Sequence, residues 1–197
     1  MRRKFDTVRY VELAILLAVV VAFQLLLGQI RIGSTSFSVV LVPIVIGSVL
    51  LGPWQGAFLG GAFGLITLFA GILGTDPFTA TIFQFSPLGT TVLCLGKAIF
   101  AGWIPGLLYR WLNKTNEWLA VIVASVSAPI VNTGLFILGA MTFVRPAIES
   151  NYDSNALYFL VIVCAGVNFL VELTVNSVLS PVIYRVIKAF RKEKSSD

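Results

Sequence analysis

Asn168, Glu172 and Asn176 recur at four-residue spacing within the otherwise apolar segment AGVNFLVELTVNSVLS. On an α-helix that spacing stacks the three side chains along one face. Hydrocarbon offers no partner for an amide or a carboxylate, so such a stripe must face a protein interior or a wet cavity. Lys97, in TTVLCLGKAIF, and Asn132, in SAPIVNTGLF, are further polar residues inside apolar stretches. Together they suit capture of a small polar molecule. Lys97 would take an anionic group, Asn132 and Asn168 would take hydroxyls or amides, and Glu172 would lie deeper as an acceptor or orienting group. Asn176, another turn inward, reads as structural.

The residues that are absent narrow the chemistry. The chain has no histidine, which removes Ser-His and Cys-His catalysis, His-Glu-x-x-His metal sites and His-ligated haem. Its two cysteines, Cys94 and Cys164, lie in separate apolar runs without metal-ligand spacing and read as core residues. An intramembrane enzyme would need a nucleophile, a metal cluster or paired carboxylates, and Glu172 is the one central carboxylate. The segment GTTVLCLGKA superficially matches a phosphate-binding loop, but Thr91 stands where its first glycine belongs and Ala98 replaces the metal-binding hydroxyl. No ATP site or other cofactor is therefore expected here. If ATP drives the protein, another subunit hydrolyses it.

The elements that must position these residues are membrane helices. Of 197 residues, 57% are hydrophobic and 12% charged, with a mean hydropathy of +0.93. The length suits one transmembrane domain over 1–197 with about six spans, at ~20 residues per crossing. The apolar runs predict helices at about Tyr10–Leu27, Phe37–Leu51, Trp54–Leu73, Thr90–Leu112, Glu117–Phe143 and Asn155–Ala189. The second is short for a ~30 Å slab and could begin at Ser34. No cleavable signal is expected at the start, because the apolar run after Tyr10 is too long and lacks a cleavage site.

Charge sets the orientation. Eleven of fourteen Lys and Arg lie in Arg2–Arg9, Arg110–Lys114 and Arg185–Lys194; Arg31 and Arg145 lie in the alternate loops. This positive-inside pattern puts both termini in the cytoplasm, in an all-α, six-helix, N-in/C-in bundle. It also accounts for the net charge of +5 as a topology signal beside anionic lipid, not a nucleic-acid surface. At α-helical rise, Lys97 lies ~10 Å below the outer start of its helix, Asn132 and Asn168 ~16 Å down and Glu172 ~22 Å down. The set clusters toward the external half. The ~12 Å gap between Lys97 and Glu172 is too long for direct contact.

Small residues at four-residue spacing mark close helix packing: Ala14, Ala18 and Ala22; Gly56, Gly60 and Gly64; Gly102 and Gly106. The glycine ladders suit packing within the bundle. The alanine ladder, on a helix that could be peripheral, suits equally well docking to another membrane subunit. The external segments Gly28–Ser36 and Gly74–Gly89 are long enough to close over an occupied site or simply to connect helices.

The stretch LVPIVIGSVLLGPWQGAFLGGAFGLITLF (Leu41–Phe69), the region around Lys97, SAPIVNTGLF and NFLVE together resemble the substrate-binding S components of energy-coupling factor (ECF) transporters, in the pantothenate-type branch. The resemblance covers nearly the whole chain. It implies a non-enzymatic, high-affinity vitamin-binding subunit of a bacterial importer in the cytoplasmic membrane, with pantothenate or a similar carboxylate as ligand. It places the ligand in the external half under the loops, with contacts from the last three helices. Ala14, Ala18 and Ala22 would dock to the transmembrane T component, two ATPases would power the cycle, and the S component would topple in the membrane. That branch tends to carry a basic residue, often Arg, in the fourth helix; here it is Lys97, a point charge instead of a planar fork. Another vitamin, or a stand-alone carrier coupled to protons through Lys97 and Glu172, are the competing expectations.

Overall fold

The structure, a computed structural model, describes residues 2–27, 31–32, 35–36, 39–152 and 155–193. Helices make up nearly all of it: α1 (Arg2–Leu27), α2 (Leu41–Leu50), α3 (Pro53–Ile72), α4 (Pro77–Phe85), α5 (Pro87–Leu112), α6 (Glu117–Phe143), α7 (Arg145–Tyr152), α8 (Ala156–Tyr158) and α9 (Val167–Glu193). A π-helical segment, Phe159–Gly166, joins α8 to α9. Between α1 and α2, Arg31–Ile32 and Thr35–Ser36 pair as a short antiparallel ribbon. Five helical stretches are long and apolar enough to cross a membrane: Thr7–Leu26, Pro53–Ile72, Pro87–Leu112, Glu117–Phe143 and Ala156–Phe190; α2 is apolar but shorter.

Several boundaries differ from the sequence expectation, each for a local reason. Helix α2 begins at Leu41, and the pairing of Thr35–Ser36 excludes a start at Ser34. Short hydroxyl side chains compete for backbone hydrogen bonds and weaken a helix there. The segment Gly74–Gly89 is largely helical. Asp76-Pro77 and Ser86-Pro87 each put proline at the first turn of a helix, where its missing N–H costs nothing and its fixed φ suits the helix. Ser86 also caps α5, its Oγ accepting from the Gly89 N–H at 3.3 Å. Beyond Phe143 the chain forms α7, with an Arg145–Glu149 ion pair of 2.9 Å one turn apart. Helix α6 starts at Glu117 as read, its Asn116 cap accepting from the Leu119 N–H at 3.1 Å.

The glycine ladders bring α3 and α5 into backbone contact. A Cβ at Gly56 would run into the Gly102 carbonyl, one at Gly60 into the Ala98 carbonyl, and one at Gly64 into the Cys94 carbonyl. Close approach of this kind holds helices together where lipid supplies no hydrophobic drive. Ser48 of α2 locks the seam, its Oγ donating to the Gly102 carbonyl at 2.6 Å. The α2–α3 turn needs Gly52, at φ 121°. Arg9 of α1 donates to the Leu51 carbonyl in that turn at 2.8 Å.

Two apolar clusters form. One gathers Val20, Leu41, Ile44, Leu59, Phe63, Ala101, Val121, Ala124, Ile183 and Ile187. The other gathers Phe78, Ile82, Leu93, Ala140, Ile148, Phe159, Leu160 and Cys164 around α4, α7 and the π segment. Phe63 of the first cluster and Phe78 and Cys164 of the second all border the same polar cavity.

Candidate substrate-binding site

Between the clusters lies a cavity of about 80 Å³, room for several waters or a small polar molecule. Lys97 comes from α5, Asn132, Thr133 and Phe136 from α6, and Asn168 and Glu172 from α9. The structure thus brings all four sequence-selected residues, Lys97, Asn132, Asn168 and Glu172, to one site. It also adds walls that sequence reasoning missed: Gln24 from α1, Phe63 and Thr67 from α3, and Asp76, Phe78 and Thr79 at the start of α4. Gln24 had a signal, a lone amide in the apolar run VVVAFQLLL. Thr67 had none, since a helical threonine commonly bonds the preceding turn, as its Oγ1 does here to the Phe63 carbonyl at 3.0 Å.

Helix α4 roofs the cavity. Phe78 meets Phe136 edge-on, with centroids 5.7 Å apart, and stacks on Phe159 at 6.3 Å. Thr79 Oγ1 donates to the Asp76 carboxylate. Of the two segments expected to cover a site, Gly74–Gly89 therefore contributes directly. Gly28–Ser36 lies mostly outside the described residues.

The side-chain chemistry is biased toward acceptors. Asn168, 7% exposed, donates Nδ2 to the Cys164 carbonyl at 3.3 Å, and Asn176 donates Nδ2 to the Glu172 carbonyl at 2.9 Å. The four-residue spacing thus spends amide hydrogens on the preceding turn and leaves oxygens over. Among the described residues, Gln24 Oε1, Asn132 Oδ1 and Asn168 Oδ1 are buried without a partner, and all three side chains line the cavity. A buried polar atom left unpaired costs about 1–3 kcal/mol. Three residues that line one cavity thus carry acceptors that a hydrogen-bond donor would satisfy.

Lys97 supplies the cation. Its Nζ lies 4.8 Å from the Phe136 ring centroid, within cation–π range. Lys97 and Glu172 interact electrostatically across the cavity, and the Asn132 side chain lies close enough to the Glu172 carboxyl to interact with it. No direct Lys97–Glu172 ion pair occurs among the described residues. That agrees with the expectation that the two are too far apart for direct contact, although both line one cavity. The sequence-based count takes the last helix as α-helical throughout, whereas Phe159–Gly166 is a π-helical segment with i→i+5 bonding. Asn176 is fully buried outside the cavity lining.

Comparison with known families decides the class. A family model described as "ECF transporter, substrate-specific component" matches residues 9–184. The chain belongs to this family. Its members are transporter components, not enzymes, and the apolar helices make this S component a multi-pass membrane protein. The chain is also 28% identical over 180 residues to the pantothenic acid transporter PanT of Lactococcus lactis subsp. cremoris (strain MG1363), covering 87% of this chain and 89% of that protein. In this S component Ala14, Ala18 and Ala22 are exposed on the outer face of α1, whereas Val20 and Gln24 of the same helix are buried.

Proposed function

We propose that this S component binds a small carboxylate vitamin, pantothenate or a close analogue, for an ATP-driven importer of the bacterial cytoplasmic membrane. The observation that carries the reading is that three residues with unpartnered amide oxygens line a single cavity together with one lysine. Pantothenate offers the complement: a carboxylate for Lys97, and hydroxyl and amide hydrogens for Gln24, Asn132 and Asn168. Glu172 accepts a further donor and balances Lys97 when the site is empty. The relationship to PanT favours the same ligand.

The chain acts as one unit over 1–197, with α2 as a sixth, short crossing and both termini inside, as the basic residues argue. Ala14, Ala18 and Ala22 form the docking surface for the T component, since small residues allow close backbone approach in lipid. Two partner ATPases hydrolyse ATP; this chain holds no cofactor.

The test is a thermal-shift screen of the purified protein against vitamins and their precursors. Ligand in large excess over its dissociation constant stabilises the native state, by about 4 kcal/mol at a thousandfold. A shift with pantothenate is the expected result. A shift with a different vitamin would keep the class and replace the ligand. No shift with any compound, in a folded sample, would refute the proposal.

A further inference from the structure

Lys97 borders two spaces. It lines the polar cavity, and it also lines a separate groove of about 280 Å³ between α5 and α6, with Leu93, Gly96, Phe100, Leu135, Leu138 and Phe143. Every other residue lining this groove is absent from the cavity's lining, and Lys97 is its one charged member. The groove sits on the flank of two membrane-spanning helices, where Phe100, Leu138 and Phe143 are exposed. The backbone beside Lys97 offers little further wall. A Cβ at Gly96 or at Gly134 would meet nothing within 4 Å. The ammonium lies over the ring of Phe136, a residue that lines the cavity and not the groove.

We propose that Lys97 is the partition between the polar site and the lipid-facing groove, and thereby a specificity-determining residue. Its charge holds an anionic ligand end, and its stem blocks any apolar extension of that end from passing between α5 and α6. The inference rests on the vitamin-binding reading for its ligand, but the partition itself is a property of the wall. Shortening Lys97 merges the two spaces. The enlarged site should then take a ligand whose carboxylate has been replaced by a neutral, alkyl-bearing group, with the chain lying in the groove.

Cys164 lines the polar cavity and not the groove, which gives a readout independent of any ligand. In a Cys94→Ser background, Cys164 is the remaining thiol. The full-length protein in lipid nanodiscs is treated with an alkyl maleimide that partitions into the bilayer, and in parallel with a charged, water-soluble maleimide. Labelling is followed by mass spectrometry in wild type, Lys97→Ala and Lys97→Met. Bilayer-phase labelling should rise several-fold in Lys97→Ala and stay at the wild-type level in Lys97→Met, which keeps the bulk. Water-phase labelling should be equal in all three. In equilibrium binding, Lys97→Ala should lose about tenfold or more in pantothenate affinity and gain measurable affinity for the n-butyl amide of pantothenate. Lys97→Met should lose the first without gaining the second.

Equal bilayer-phase labelling of wild type and Lys97→Ala would overturn the partition, and so would loss of pantothenate binding with no gain of the amide. A labelling contrast in a protein that never binds pantothenate would uphold the partition and refute the ligand assignment instead. Should Lys97→Ala not fold, Lys97→Val, also shorter than Met, is read by the same criteria.

Discussion

Gln24, Asn132 and Asn168 keep polar oxygens buried without partners, a cost that packing alone would remove by placing leucine there. That trade supplies a residue-level expectation. Gln24→Leu removes one orphaned acceptor, so the ligand-free protein should melt at a higher temperature, gaining about 1 kcal/mol. Its pantothenate-induced shift should shrink at the same time, and thermal unfolding with and without pantothenate reads both. A variant that loses stability without any change in ligand response would make Gln24 a structural residue. Lys97→Met should behave differently. It should fold normally and bind pantothenate about tenfold or more weakly, since a charged hydrogen bond contributes ~1.5–3 kcal/mol. Unchanged affinity, measured by titration calorimetry, would remove Lys97 from the ligand contacts. At this scale the sequence was informative where a polar residue broke an apolar run, as at Lys97, Asn132, Asn168 and Glu172. It was uninformative at Thr67 and Thr79, because threonine in a helix satisfies itself within its own backbone or from a near neighbour, here Phe63 and Asp76.

At the scale of elements, the long apolar helices were legible because twenty or more apolar residues leave few alternatives to a span. Helices α4 and α7 were not. Both are short, and α7 carries RPAIESNY, a composition that also suits a loop. The π segment has no compositional signature at all, yet it leads into α9, which carries Asn168 and Glu172. The Gly56–Gly60–Gly64 ladder was legible as a packing surface, and its partner along α5 proved to be bare backbone. A Gly60→Ala substitution should therefore force α3 and α5 apart and destabilise by about 1–3 kcal/mol. Gly96→Ala on the open flank of α5 should be neutral within ~0.5 kcal/mol. Denaturation of the two variants side by side in the same detergent checks this. Equal effects would mean that the glycine seam does not carry the packing assigned to it.

For the whole molecule, the distribution of apolar and basic residues along the chain argues the proposed topology, and the polar cavity is where the proposed recognition takes place. The exposed alanines of α1 lie on a face that leaves the cavity untouched except through Gln24 on the opposite side. Docking and binding should therefore separate. Ala14→Leu with Ala18→Leu should abolish co-purification with the T component and leave the pantothenate-induced shift intact. Survival of the complex would refute the docking surface. The central claim, that the cavity pairs Lys97 with a carboxylate while its amide oxygens take the donors, is tested most directly by titrating wild type and Lys97→Met with pantothenate and with its alcohol analogue, panthenol. Wild type should prefer pantothenate by about tenfold or more, and Lys97→Met should bind the two compounds alike. Equal affinity of the wild type for both, or no binding of either by folded protein, would contradict the account.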